Sequence, residues 1–394
     1  MKRQSLPHQL CLLALSIAIG CDGESAARTA GQSGELAARF ETLVPQLLAA
    51  HRVPGVQVAV IDGGAVTWLG SYGLAERQPS RAVTDGTLFN VGSVSKTVAA
   101  WGVMTMLEDS IGPGLDSPVA GYLSRWQLPD SRDFDANQLT VRRLLTHTSG
   151  LSILPASESF DYPPSLEETL SRSYGSFGRV RLVREPGTTF QYNNGNYVVL
   201  QLLIEEVTGT AFATYMKRTV LEPLEMGSST YAFDPRRLAV PYDSTGQPLP
   251  YYATYRNESF AASGGLYTTA GDLARFVAAT MSGPDGSLPG RSVLSPSTVR
   301  LMVSPAAEAH GNYGIGYKML PVSGTLTMIG HDGANPGWRA TFLAVPEKGV
   351  GIVILANSRS GGAIVADIVC AWADWEVDIE LTGLCEGATP VPSR

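Results

Sequence analysis

The chain has 394 residues, of which 44% are hydrophobic and 16% charged, which is typical of a folded protein of about two domains and excludes a disordered chain. Its net charge of -7, without any block of lysine or arginine, argues against nucleic acid as a partner. The five histidines are scattered, and the C-x-x-C and H-E-x-x-H spacings are absent. No metal or other cofactor is therefore expected, and small-molecule chemistry is favoured.

The N-terminus predicts export. Two basic residues precede an apolar run from Leu10 to Gly20, which is too short to span a bilayer but suits the core of a signal peptide, assigned to residues 1–20. The segment Ala18-Ile19-Gly20-Cys21 resembles the bacterial lipobox, with alanine where leucine is usual. We therefore predict a periplasmic lipoprotein attached to the membrane through a lipidated Cys21. Ordinary cleavage after Ala27 would instead release a secreted or soluble periplasmic protein.

Local patterns predict secondary structure in chain order. The small, polar residues 21–34 indicate a linker, and apolar residues at helical spacing predict a helix over residues 35–51. Strand-like runs at residues 56–61 and 65–69 flank Asp62-Gly63-Gly64, which is typical of a hairpin. The other predicted helices are residues 93–109, a short helix capped by Thr140, and residues 196–207, 269–281, 296 onward and 362–377.

Strand-like runs return near the C-terminus, and the short glycine-bearing links between them imply an antiparallel sheet. These runs are residues 313–320, 325–330, 338–345 and 350–355. The simplest assembly is one α/β domain built from both chain ends, residues 35–92 and 263–378. An all-helical domain, residues 93–262, is inserted into it, and residues 379–394 form a tail.

Two cysteines, Cys370 and Cys385, remain outside the signal peptide and the lipidation motif. A disulfide between them is allowed outside the cytoplasm and would contribute up to about 3 kcal/mol. A buried thiol and a second free thiol in the tail are the alternative.

The most informative motif is Ser93-x-x-Lys96, near the start of a predicted helix. A three-residue spacing puts both side chains on one helix face, so hydroxyl and amine can form a hydrogen bond. A charged lysine cannot take the serine proton, so Lys96 would need a pKa of roughly 7 or 8, about 4 kcal/mol from the usual value. Burial and the positive end of the helix favour this shift. The alternative is a helix-capping serine beside a solvated cation.

Two more motifs follow Ser-x-x-Lys in the chain. Tyr192-x-Asn194 precedes a predicted helix, and His331-Asp332-Gly333 ends a predicted strand. In this order the three motifs resemble the serine β-lactamase and penicillin-binding protein superfamily, and most closely class C β-lactamases, serine D,D-peptidases and esterases of that fold. The resemblance covers about residues 35–376. It implies an antiparallel sheet flanked by helices, with an inserted helical domain.

The resemblance also implies a role for each residue. Ser93 would attack a carbonyl to form an acyl-enzyme, and Lys96 and Tyr192 would share the proton transfers, with either as the base. Asn194 would bind Lys96 or the substrate amide, and His331 would hold the hydroxyl network or donate to the leaving group. The backbone N–H groups of Ser93 and Ala334 would form the oxyanion hole.

The third motif differs from the Lys-Thr-Gly or Lys-Ser-Gly that β-lactamases usually have, because Asp332 and Gly333 follow His331. An aspartate facing a bound carboxylate at about 5 Å would cost about 3 kcal/mol at an effective dielectric near 20. The pleat could instead turn Asp332 away from the site, or Arg339 could neutralise it.

These observations leave three hypotheses. The first is a serine hydrolase that cleaves amide bonds of β-lactams or D-amino-acid peptides, and the second is an esterase that uses the same site. The third is a non-catalytic envelope-binding protein. The absence of a G-x-S-x-G motif disfavours the triad of α/β-hydrolases, and His147 is interpreted as a structural residue.

Overall fold

A computed structural model describes residues 23–155, 164–173, 178–250, 258–322, 326–376 and Cys385. The predicted signal peptide and Cys21 lie outside these residues, as does the tail apart from Cys385. Within the described ranges, no helix combines the length and apolar character needed to cross a membrane. Cys370 and Cys385 form a disulfide that ties the tail to the last helix.

The described residues contain strands, α-helices and short 3₁₀ segments. The strands are β1 Gly55–Asp62, β2 Ala65–Glu76, β3 Arg81–Ala82, β4 Phe89–Asn90, β5 Tyr267–Thr268, β6 Lys318–Pro321, β7 Thr327–Asn335, β8 Trp338–Val345 and β9 Val350–Ala356. The α-helices are α1 Gly23–His51, α2 Val94–Glu108, α3 Val141–Leu145, α4 Leu166–Ser171, α5 Asn194–Thr208, α6 Phe212–Met216, α7 Ala261–Gly264, α8 Ala270–Ala278, α9 Pro296–Met302 and α10 Gly361–Glu376.

The main sheet joins the two ends of the chain. Its strand order is β3-β2-β1-β9-β8-β7-β6, and all of its paired strands are antiparallel. Strand β1 pairs with β9, so the N-terminal hairpin and the C-terminal strands form one sheet. Between β4 and β5 the chain forms the helices α2 to α7. This architecture is the predicted fold class.

Side chains of β1 point alternately to the two faces of the sheet, and helices cover both faces. Val56, Val58 and Val60 face a cluster that includes residues of α1 and α10. Ala59 and Ile61 face the second cluster, to which α2, α5 and α8 contribute. Every residue of β1 is buried, as expected for a strand with helices packed on both sides.

Several boundaries differ from the predictions. Helix α1 begins at Gly23, so it includes most of the predicted linker, where several alanines favour the helix. Strand β6 begins only at Lys318, because Gly316 has a φ of +80°, which a strand cannot accommodate. Strand β7 continues to Asn335, where Pro336 and Gly337 form the turn to β8. The His-Asp-Gly motif therefore lies inside a strand rather than at its end.

Candidate active site

Ser93 lies at the N-terminus of α2, the helix at the centre of the site. Residues 94–106 of this helix are buried, in keeping with a sequence that is apolar over most of its circumference. Ser93 makes no side-chain capping hydrogen bond to the helix. The structure therefore does not support the capping interpretation, and the Ser93 hydroxyl is left for other contacts.

Lys96 lies one turn further along α2 and is fully buried. Its Nζ is 3.1 Å from Ser93 Oγ, 2.8 Å from Asn194 Oδ1 and 2.6 Å from the carbonyl oxygen of Ser263. Burial lowers the pKa of Lys96 from 10.5 to about 7. A neutral amine has two N–H donors, which match the two oxygen acceptors of Asn194 and Ser263. Its lone pair can then accept the proton of Ser93.

Tyr192 and Asn194 come from the segment that leads into α5. The Tyr192 hydroxyl is hydrogen-bonded to Ser93, and Lys96 Nζ lies 5.0 Å from the centre of the Tyr192 ring. Burial of the hydroxyl raises the pKa of Tyr192 above its usual value, against the opposing effect of the Ser93 hydrogen bond. The Tyr192 hydroxyl therefore keeps its proton at neutral pH, whereas Lys96 is partly neutral there.

His147 contacts the segment that holds Tyr192 and Asn194. It has a φ of +60°, its Nδ1 accepts the backbone N–H of Asn193 at 3.1 Å, and its ring centre is 4.4 Å from that of Tyr192. Burial, followed by the charge of Lys96, holds the pKa of His147 well below its usual range. These contacts agree with the interpretation of His147 as a structural residue.

His331 lies on the buried face of β7. Its Nδ1 is 2.7 Å from the carbonyl oxygen of Asp332, which can only accept, so Nδ1 carries the proton. Its Nε2 therefore accepts the hydroxyl proton of Tyr313, at 3.1 Å. Burial, followed by the charge of Lys96, lowers the pKa of His331 to about 3, so the ring is neutral. Sequence reasoning missed Tyr313, because it stands at the start of a presumed strand.

The backbone of β7 passes directly against the turn before Ser93. A Cβ on Gly333 would come within 1.8 Å of the carbonyl oxygen of Val91, and one on Gly92 within 2.8 Å of the nitrogen of Ala334. Asn335 and Trp338 close a two-residue hairpin, so the next pair, Ala334 and Arg339, is not hydrogen-bonded. The N–H of Ala334 therefore points away from β8, towards the N-terminus of α2. The N–H of Ser93, at the start of that helix, lies beside Gly333.

Asp332 lies on the exposed face of β7, at the cleft. Lys318 Nζ, on β6, is 2.6 Å from its Oδ2, and Thr341 Oγ1, on β8, is 2.9 Å from its Oδ1. Burial alone would raise the pKa of Asp332, but Lys318 and Thr341 together hold it below its usual value. The pleat therefore does not turn Asp332 away from the site. Its counter-charge is Lys318 rather than Arg339, which sequence reasoning proposed.

The residues surround a cleft of about 530 Å³. Ser93, Tyr192, His331, Asp332, Gly333 and Ala334 line it, together with Lys318 and apolar side chains. The structure thus brings the predicted catalytic residues and the altered third motif into one site. Lys96 and Asn194 lie beneath it. Within the described part of the chain, no cluster of three potential metal ligands occurs.

Comparison with known proteins identifies the family. A family model described as Beta-lactamase matches residues 40–368. The chain is 28% identical over 323 residues to esterase EstB of Burkholderia gladioli, covering 72% of this chain and 80% of that protein. It is 28% identical over 345 residues to penicillin-binding protein 4 of Amycolatopsis lactamdurans, covering 84% and 86%, respectively.

Two further similarities are limited, one in the share of the relative that is covered and the other in sequence identity. Putative beta-lactamase-like 1 of Homo sapiens is 26% identical over 341 residues and matches 82% of this chain, which spans 65% of the human protein. The structure of a class C beta-lactamase superposes with a TM-score of 0.68 at 22% identity, over 86% of this chain and 96% of that one, and shows the shared fold. Because the family model matches most of the sequence, including all three motifs, the chain belongs to the beta-lactamase family of serine hydrolases.

Proposed function

We propose that this chain hydrolyses its substrate through an acyl-enzyme formed on Ser93. The observation that carries the proposal is the buried amine of Lys96, 3.1 Å from Ser93 Oγ with a pKa of about 7. About half of Lys96 is then neutral at pH 7, whereas an unperturbed lysine would be neutral in roughly one molecule in a thousand or fewer. The site thus supports a base that works at neutral pH.

In the acylation step, Ser93 Oγ attacks the substrate carbonyl while Lys96 Nζ takes the hydroxyl proton. The N–H groups of Ser93 and Ala334 stabilise the oxyanion that forms, an interaction typically worth about 3 kcal/mol per donor. Tyr192 donates its proton to the departing nitrogen or oxygen and is reprotonated from Lys96. The bond between the carbonyl and the leaving group breaks, and the acyl group remains as an ester of Ser93.

Deacylation repeats these transfers with water. A water molecule loses a proton to the same base and attacks the acyl-enzyme carbonyl. The ester bond to Ser93 then breaks, Ser93 regains its proton, and a carboxylic acid leaves. His331 is neutral and hydrogen-bonded to Tyr313, so it orients the hydroxyl groups beside the leaving group rather than acting as a cationic acid.

Two substrate classes fit this chemistry. Amide bonds of D-amino-acid peptides or β-lactams are the first, in keeping with the similarity to a penicillin-binding protein. Small esters are the second, and the specific observation in their favour is the carboxylate of Asp332 at the cleft. Similarity to an esterase also supports this second class.

The proposal is tested by labelling the purified protein with a penicillin and with a fluorophosphonate. We expect a covalent mass on Ser93 from at least one probe, and none on Ser93→Ala. Ser95→Ala is the matched control, since the Ser95 hydroxyl donates to the carbonyl of Gly92 and Ser95 does not line the cleft. A wild-type protein that both probes leave unmodified would contradict the proposal.

A further inference from the structure

We propose that the Lys318–Asp332 ion pair makes the cleft select substrates whose leaving group carries no free carboxylate. The proposal rests on the proposed acyl transfer at Ser93 and refines its substrate class.

The pair lines the cleft together with Tyr192, the residue that would protonate the leaving group. Lys318 and Asp332 line the same cleft as Ser93. The negative charge of Asp332 acts on the Tyr192 hydroxyl, which would protonate the leaving group. Lys318 and Asp332 are the charged residues among the described residues that line the cleft, so a charged substituent on the leaving group would meet this pair.

Asp332 is held from both sides by neighbouring strands. Lys318, on the edge strand β6, binds one carboxylate oxygen at 2.6 Å, and Thr341, directly opposite on β8, binds the other at 2.9 Å. The position of the aspartate is thus fixed by the register of the sheet. The positive charge of Lys318 is already paired and is not free to bind a substrate carboxylate.

A carboxylate at this end of the cleft would meet a like charge. At about 5 Å and an effective dielectric near 20, the repulsion corresponds to about a hundredfold loss of affinity. The charge of Lys318, 2.6 Å from this carboxylate, opposes the repulsion, and the Asp332 side chain is 60% exposed to solvent, so we expect about a tenfold loss to remain. His331 is neutral, so it adds no positive charge that would attract a carboxylate to this end of the cleft.

The remaining lining suits an uncharged group. Phe190, Met319 and Leu320 provide apolar surface beside the pair. Esters and peptides with an amidated or internal scissile bond are thus favoured. β-Lactams and peptides that end in a free carboxylate beside the scissile bond are disfavoured.

The test uses two acyl esters that differ only in the leaving group, glycolate in one and glycolamide in the other. For the wild type, we expect kcat/KM to be about tenfold higher for the glycolamide ester. Asp332→Asn removes the negative charge and releases Lys318, so we expect the preference to move at least tenfold towards glycolate. Lys318→Met should move it at least tenfold in the opposite direction.

Asp234→Asn is the matched control, because Asp234 also forms an ion pair, with Arg236, and does not line the cleft. Its preference should equal that of the wild type. If Asp332→Asn does not fold, the test uses Lys318→Met, which changes a partly exposed side chain on the edge strand β6. An unchanged preference in a variant whose Ser93 is still labelled would overturn this inference and leave the proposed function standing. A wild type that is labelled but hydrolyses neither ester would overturn this inference alone, and a wild type that is neither labelled nor active on the esters would overturn both.

Discussion

Replacing Asn194 by aspartate would place a negative charge beside the amine of Lys96 without changing the shape of the side chain. Asn194 Oδ1 is 2.8 Å from Lys96 Nζ. Opposite charges about 4 Å apart at an effective dielectric near 20 attract by about 4 kcal/mol, which corresponds to about 3 pKa units. Burial of the new carboxylate offsets part of this attraction, so we expect the Lys96 pKa to rise from about 7 to 9 or above.

The assay is the rate at which a fluorophosphonate labels Ser93 between pH 5 and pH 10, followed by intact mass. In the wild type the rate should rise as Lys96 loses its proton and reach half its maximum near pH 7. In Asn194→Asp the half-maximum should move up by at least 2 units, so that the rate at pH 7 falls about a hundredfold and recovers at higher pH.

Asn194→Ala is the control for this prediction. It removes the same hydrogen bond without adding a charge, so it can slow the reaction but should not raise the half-maximal pH. If the half-maximum of Asn194→Asp stays near pH 7, Lys96 is not the base, and the reasoning from its burial is wrong.

Two further predictions concern stability and backbone packing. Between pH 7 and 9 the unfolded chain binds the Lys96 proton more fully than the folded one, so wild-type stability should rise by about 2 kcal/mol relative to Lys96→Met. Denaturant unfolding at several pH values measures this difference, and parallel pH profiles for the two proteins would contradict it. Gly333→Ala should reduce the labelling rate of Ser93 at least a hundredfold, because the added methyl would meet the carbonyl of Val91 at 1.8 Å. Gly86→Ala is the control, because nothing lies within 4 Å of the added Cβ, and it should be labelled at the wild-type rate. Equal labelling rates for the two variants would show that β7 moves away from Val91 without loss of activity.

Local sequence patterns predicted much of the site, because its two central residues are close together in the sequence. Ser93 and Lys96 are three positions apart on one helix, so their contact follows from helix geometry alone. Asn193 caps α5 with its side chain, which places Tyr192 and Asn194 at the start of a helix. This placement depends on local sequence and not on contacts with distant segments. The antiparallel sheet followed from short links between strand-like runs.

Contacts between distant segments could not be predicted in the same way. Lys318 reaches Asp332 only because β6 pairs with β7 in one register, with Lys318 opposite Gly330. A shift of one residue would turn the lysine to the other face, and no local pattern defines the register of an edge strand. The carbonyl of Ser263 was missed for a related reason, since a backbone acceptor leaves no mark on the sequence.

The pairing of β1 with β9 also has a consequence for how the chain folds. Val56 pairs with Ala356, 300 positions later, so β1, an interior strand of the sheet, has an open edge until nearly the whole chain has been synthesised. That edge belongs to a strand in which every residue is buried in the native state. We expect slow folding, limited by closure of this very long loop, and aggregation of truncated chains that end before β9.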